Sequence, residues 1–488
     1  MKVVGLFTVL LVIASVNAGI LKSKVTLNLL DSVSSMPVQN FTLYPNLTDA
    51  VATSVQGAFN ARILDLGAKK IALTGSENFY APFANVYSTA VSYDITNGLL
   101  NEVSRLFVPK NVGTSNTVIS PNPLKRYVAT SRYQSVFSTV FYLPHIYTIQ
   151  LNSFDANGVI NQTPSLVFNM LSLNPLFYND TIAYNGICGV SDDGKYLLNT
   201  YALRSGYPGL IIGQKYAMMK VADDLSSLDL KATIDTAPTG IPSLYSFCQG
   251  SVMWKLKNSN TKYGVVIAED SWNFTNILGL TAQISYYVFD EADNSFVHKA
   301  SDWVSQYIQG YDVDTNKGRV YTISNAVSSD GVVPQQNARM PYDNPSVDKD
   351  SELRVWKLDE NAETLTYKGG VNLNMDGIQV NAAKDGRKLL VTAAPAIAVD
   401  IFLTPFPALG AYSFRYGNTV VTAYRVSGEG DVNLNQESQS SASPLAFGLA
   451  FDDSCELALV CGQSTYLSLD GNLVGMKNTQ LYEITDDS

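Results

Sequence analysis

The sequence has 488 residues, 46% hydrophobic and 16% charged, with ample apolar material for packed cores. Its net charge of −10 argues against a nucleic-acid partner, which needs a basic face for the phosphates. No run of like charges forms a tail or a membrane-surface patch.

The chain opens as a processing segment. Lys2 is a short positive region, VVGLFTVLLVIASV is apolar, and Val16-Asn17-Ala18 places small residues at a cleavage site. Residues 1–18 are therefore expected to be a signal peptide cut after Ala18, leaving 19–488 as one secreted, extracellular domain. No integral membrane segment is expected. The most apolar later stretch, 389–412, carries Asp400 and three prolines. Asn40, Asn46, Asn161, Asn179 and Asn273 stand in Asn-x-Ser/Thr sites, the expected positions of glycans.

From residue 70 onward a two-part signature repeats. A polar turn and a basic residue open an apolar run at Lys70, Arg126, Lys195, Lys262, Arg319 and Lys388, with Glu456 as a charge-reversed seventh copy. The copies lie about 56–69 residues apart. Each is followed by an alternating strand pattern: VSYDIT (91–96), YTIQLN (147–152), AMMKVA (217–222), SYYVFD (285–290), LRVWKL (353–358), VTAYRV (421–426) and QLYEIT (480–485). Weaker strands such as LNEVSRLF (100–107) and LTYKGGV (365–371) come next. Each unit thus reads as four antiparallel strands, A to D. The fold expected is all-β, a seven-bladed β-propeller, because one such sheet cannot bury both faces alone. The seventh unit ends after strand C, and KSKVTLNLLDS (22–32) is a strand without a hairpin partner, so it is expected to complete the last blade. Two stacked β-sandwiches are the competing arrangement.

SDDGKYLL (191–198) and KDGRKLLV (384–391) resemble the turn-basic-apolar hairpins of lactonase-type and YVTN-type propellers, and LRVWKLDENAETLTY (353–367) resembles the later half of such a blade. The resemblance implies the seven-bladed fold and permits a hydrolase or isomerase site at the mouth of the central channel. Asp192, Asp193 and Gly194 read as turn chemistry.

The B–C connections are long and aromatic, and in a propeller they share one rim. Phe79, Tyr80, Phe83, Phe137, Tyr142, Tyr207, Phe402, Phe406, Tyr412, Phe414 and Tyr416 are the candidate binding crown; the competing reading is that these loops pack on one another. For catalysis the candidates are sparse. Only His145 and His298 occur, which weakens any histidine-based mechanism, and no phosphate-binding Gly-rich loop, H-E-x-x-H or Cys-x-x-Cys pattern is present. His145, near Arg132, is the histidine of interest; His298 falls in a D strand. Glu77, Arg132, Glu269 and Asp270 stand at the tops of B strands, where loop ion pairs or solvent exposure are the ordinary alternatives. No cofactor is expected.

Asp312-Val-Asp314-Thr-Asn316-Lys-Gly318 has glycine at the seventh position and no carboxylate at the twelfth, so it fits a hairpin turn better than a calcium loop, and no metal is expected. Asp343, Asp348, Asp350 and Glu352 read as a solvated loop. Cys188 and Cys248 fall in consecutive A strands, close enough near the axis for a disulfide. Cys455 and Cys461 bracket a strand and stand about 20 Å apart if it is extended, beyond disulfide reach. The expectation is a secreted, non-catalytic glycoprotein that binds a macromolecular, cell-surface or glycan partner through its aromatic face. A lactonase-like enzyme and a carbohydrate-binding propeller are the alternatives.

Overall fold

The computed structural model describes residues 25–35, 57–77, 87–108, 112–135, 145–173, 182–204, 211–236, 245–273, 279–305 and 308–325. It also describes 351–394, 397–402, 411–416, 419–427, 433–443, 446–463, 465–468, 473–475 and 477–486. Seven sheets of four antiparallel strands stand in a ring. Blade 1 runs through Gly57–Asp65, Lys70–Glu77, Tyr87–Thr96 and Leu99–Val108, and blade 2 through Val112–Ile119, Tyr127–Ser135, His145–Ser153 and Leu166–Asn169. Blade 3 comprises Ile182–Val190, Tyr196–Arg204, Ile211–Val221 and Leu228–Asp235; blade 4 comprises Tyr245–Lys255, Lys262–Asn273, Gly279–Asp290 and Ser295–Ser305. Blade 5 is Ile308–Asp314, Arg319–Asn325, Ser351–Asp359 and Thr364–Asn372, and blade 6 is Asp376–Ala382, Lys388–Ala394, Val420–Ser427 and Asn433–Ser441.

Blade 7 takes Gly448–Phe451, Leu457–Cys461 and Thr479–Asp486 from the end of the chain and Val25–Val33 from its beginning. That last strand pairs antiparallel with Thr479–Asp486, from Val25 opposite Asp486 to Val33 opposite Thr479. The ring closes there, and each A strand touches the A strand of the next blade, the seventh meeting the first.

Apolar side chains on alternate strand positions cover both faces of every sheet, so the core is divided among the seams. One hydrophobic cluster fills each of the seven seams. Between blades 3 and 4, for example, Tyr196, Leu198 and Met218 meet Val265, Ile267 and Phe289.

The inner strands share a device that the repeat pattern does not display. In six blades the A–B register slips by one residue, at Phe59, Ser115, Cys188, Gln249, Gln309 and Ile378. Such a bulge bends strand A where the blades crowd together. The following residue is Asn60, Asn116, Gly189, Gly250, Gly310 or Gln379. The amides reach into neighbouring blades: Asn60 Nδ2 donates to Asn116 Oδ1 (3.2 Å), Asn116 Nδ2 to the Ile187 carbonyl (2.6 Å), and Gln379 Oε1 accepts from the Tyr311 amide (2.9 Å). The glycines admit a neighbour instead. A Cβ on Gly250 would lie 1.5 Å from the Tyr311 hydroxyl.

The A–B turns form a second belt at the opposite rim. Asp193 Oδ1 accepts from the Lys195 amide (3.0 Å) and Ser191 Oγ (2.7 Å), while its Oδ2 accepts from Tyr263 of blade 4 (2.8 Å). Asn122 Nδ2 of blade 2 donates to the Asp193 carbonyl (2.7 Å), and Asn316 Nδ2 of blade 5 to that of Lys384 in blade 6 (2.6 Å). The turn residues therefore fasten blades as well as reversing the chain. Gly194, Gly318 and Gly386 hold positive φ in these turns, and in blade 7 Cys455 fills the same slot at φ 58°.

An eighth sheet was not expected. The B–C insertions of blades 6 and 7 contain Ile397–Phe402, Ala411–Tyr416, Thr465–Ser468 and Leu473–Gly475, which form one four-stranded sheet outside the ring. Its two hairpins join in parallel, Arg415 opposite Leu467 and Tyr416 opposite Ser468. The stretch 394–418, read from sequence as an aromatic loop, thus contains strands.

Candidate functional site

Topology sends every B–C insertion to one rim, and the eighth sheet spans two of them. Of the crown residues, Phe402, Tyr412, Phe414 and Tyr416 stand on its strands, opposite Ala411, Ile401, Val399 and Ile397 respectively. Phe79, Tyr80, Phe83, Phe137, Tyr142, Tyr207 and Phe406 lie outside the described residues, as do Asn40, Asn46, Asn179, Asp343, Asp348 and Asp350. Asn161 is exposed, in the turn between strands C and D of blade 2, and its Oδ1 accepts from the Thr163 amide (3.1 Å). Asn273 ends strand B of blade 4 opposite Gly279.

The candidate catalytic residues do not converge. Glu77 ends strand B of blade 1 opposite Gly57, and Asp270 pairs with Phe247 and Ala282 in blade 4. His145 pairs with Ser135, whereas Arg132 pairs with Thr148, so the two stand three register steps apart rather than side by side.

Glu269 is fully buried, and neither an ion pair nor solvent accounts for it. Four donors surround its carboxylate: Tyr216 (2.7 Å) and Tyr287 (3.1 Å) on Oε1, Gln283 Nε2 (2.6 Å) and Ser285 (2.5 Å) on Oε2. Together these occupy the lone pairs of an ionised carboxylate without a cation. Burial, then the Glu269 charge, pushes the Tyr216 hydroxyl well above its ordinary pKa. A hydrogen-bonded chain continues outward from Ser285 to Ser301 (3.0 Å) and from Ser301 to Nε2 of the half-buried His298 (2.5 Å).

Cys248 is the register partner of Glu269. Its thiol is hydrogen-bonded to Cys188 of blade 3, and burial, then this bond, pushes it well above the usual thiol range. The two positions differ by one step, Cys188 being the bulge residue and Cys248 preceding its own bulge. Both are free thiols, so the bridge expected from sequence is not formed in this structure. Cys455 and Cys461 are also free and buried, at opposite ends of the Leu457–Cys461 strand.

At the axis stands a pair that sequence reading missed. Asp312 of blade 5 accepts at Oδ2 from Asn381 Nδ2 (2.9 Å) and the Ala382 amide (2.6 Å) of blade 6. Burial pushes its carboxyl up to about 6, against the amides of Ala382 and Val313 and the charge of Arg62. Arg62 belongs to blade 1, so its field reaches Asp312 across the channel; burial lowers its own pKa. The only sequence signal was a charged residue inside an inner strand. Asp314 faces elsewhere, its Oδ1 accepting from the amides of Asn316 (2.9 Å) and Lys317 (3.1 Å) in its own turn. Asp312 and Asp314 therefore do not share a calcium loop. Among the described residues no group of three or more His, Cys, Asp or Glu could hold a metal, and no helix is long and apolar enough to cross a membrane.

No protein-family profile matches the chain, and no curated protein matches it. Solved structures do. A 6-phosphogluconolactonase candidate from Bacteroides fragilis is similar at 11% identity and a TM-score of 0.46, over 87% of this chain and 99% of that one. The WD40 repeats of RRP9 are similar at 8% identity and 0.42, over 93% and 99%. An oligogalacturonate lyase in complex with manganese gives 8% and 0.42, over 88% and 97%. At these identities the likeness is one of fold only.

Proposed function

We propose that this chain is a secreted glycoprotein whose B–C face binds a macromolecular partner, a protein or glycan at a cell surface, without catalysis. The observation that carries this reading is the eighth sheet. Insertions from two blades are joined into one added platform on a single rim, and rigid scaffolds acquire binding surfaces in this way. The saturated hydrogen bonding of Glu269 is in keeping with it, because that carboxylate has no lone pair left for a substrate. The apolar leader at residues 1–18 and the exposed Asn161 support export and glycosylation.

Cell-surface binding of labelled protein tests the proposal. The comparison is between the intact chain and one with 403–410 and 136–144 shortened to short Gly/Ser linkers. Loss of saturable binding in the trimmed chain is expected; equal binding by both overturns the reading. Expression in a eukaryotic host, with a glycosidase-sensitive mass in the medium, tests export separately.

A further inference from the structure

The seam between blades 1 and 2 changes character along its height. At one level Ile119 and Val128 are register partners in blade 2, and both belong to the apolar cluster with Ile71 and Leu73 of blade 1. Two residues further toward the B–C rim the pair is Thr117 with Thr130, and beyond it Arg132 stands opposite Thr114. Because strand B alternates without a slip, Val128, Thr130 and Arg132 share the face turned to blade 1. Thr117 is fixed on that face by close approach: a Cβ on Gly75 of blade 1 would lie 3.1 Å from its Cγ2.

These polar groups are buried and unused. Thr117 and Thr130 are fully enclosed and Arg132 is 7% exposed. Among the described residues Thr117 Oγ1, Thr130 Oγ1 and the Nε and Nη2 of Arg132 have no hydrogen-bond partner. Burial lowers the Arg132 pKa to about 10, so the guanidinium remains a cation at neutral pH. A buried cation without an acid is strongly unfavourable unless something anionic meets it. Glu269 shows how the same chain treats a buried charge elsewhere, with four donors in contact. One acceptor, Asn152 Oδ1, is also without a partner, and Asn152 stands opposite Val128 at the apolar end of the seam.

We propose that the blade 1–2 seam binds a small oxyanion, a carboxylate or phosphate group, held by the Nε and Nη2 of Arg132 and the hydroxyls of Thr117 and Thr130. The guanidinium supplies two charge-assisted bonds in the fork that suits two oxygens of one anion, and the hydroxyls donate to the remaining lone pairs. This site is independent of the proposed partner-binding face, since strands alone build it.

Thermal unfolding and calorimetric titration of the full chain test it, in chloride buffer at constant ionic strength, with sodium phosphate, sulfate, acetate or succinate added. A saturable rise in Tm with at least one of these is expected. Response to phosphate and sulfate alone assigns a phosphoryl-type ligand, and response to acetate or succinate a carboxylate. Arg132→Met is expected to abolish the rise, and Thr130→Val to weaken binding about tenfold. Should Arg132→Met not fold, Thr130→Val carries the comparison. No saturable rise in the native chain, or an equal rise in the variants, overturns the site. A chain trimmed at 403–410 and 136–144 retains the anion response, which separates failure here from failure of the binding face.

Discussion

Lys70 Nζ lies 2.5 Å from Asp452 Oδ2, an ion pair that ties blade 1 to the turn of blade 7 at the point of ring closure. Asp452 also accepts at Oδ1 from the amides of Glu456 and Leu457, each at 2.9 Å. Burial alone would raise its pKa, but the bonds from Lys70, Ser454 and the Leu457 amide outweigh that and hold it below the usual carboxylate range. A carboxylate with a depressed folded pKa stabilises above its unfolded value, about 3.9, and loses the effect as pH falls through the folded value. Asp452→Asn keeps the turn acceptor and removes the charge. It is expected to lower stability by about 1–2 kcal/mol at pH 7, with the difference shrinking as pH falls below the unfolded carboxylate value of about 3.9. Thermal melts of both proteins across pH check this.

Asp312 has the opposite sign. Its folded pKa of about 6 exceeds the unfolded value, so its ionisation costs stability as pH rises from about 4 to 6. Asp312→Asn retains an oxygen acceptor for Asn381 and the Ala382 amide. It is expected to stabilise the fold by on the order of 2 kcal/mol at pH 7 and to change little at pH 4. Denaturant titrations at the two pH values measure the difference.

Gly250 and Tyr311 offer a test of the inner ring. Gly250→Ala is expected to cost about 3 kcal/mol or more, since a methyl group would overlap the phenol. Tyr311→Phe removes the overlapping oxygen and is expected to recover part of the loss in the double variant. A double-mutant cycle by chemical denaturation reads the coupling; additive costs would show that the two residues do not meet.

Cys188 and Cys248 are expected to bridge in an oxidising medium. With oxidised glutathione, the two thiols give one disulfide and two molecules of reduced glutathione, their hydrogens passing to the leaving thiolates. Alkylation in denaturant followed by peptide mass mapping should find Cys455 and Cys461 labelled and Cys188 and Cys248 joined. Four labelled cysteines after oxidation would refute the pairing.

Much of the architecture was legible because strand alternation and turn chemistry are local. The seven B and C strands, the hairpin turns such as SDDGK and the closing amino-terminal strand all stand where period-two patterning puts them, though the last begins at Val25 in the described residues rather than at residue 22. The bulges were not legible, because Phe59, Ser115, Cys188, Gln249, Gln309 and Ile378 share no chemistry; crowding at the axis selects the bend. Nor was the Arg62–Asp312 relationship, which joins residues 250 positions apart across a channel. Arg132 and Glu269 were visible as charges at the tops of B strands, but sequence could not tell that Glu269 would be saturated with donors while the Nε and Nη2 of Arg132 meet none of the described residues' acceptors. The eighth sheet needed a parallel pairing between two insertions, which no local pattern announces.

Blade 7 has a temporal consequence. Its outermost strand is among the first described segments to leave the ribosome, and the strand that receives it, Thr479–Asp486, is the last. Blades 1 to 6 can each assemble from contiguous chain as they are made, yet Val25–Val33 must wait unpaired until Thr479–Asp486 has been made. Loss of Thr479–Asp486 would leave Val25–Val33 and the outer edge of Leu457–Cys461 both unpaired, bare strands prone to self-association.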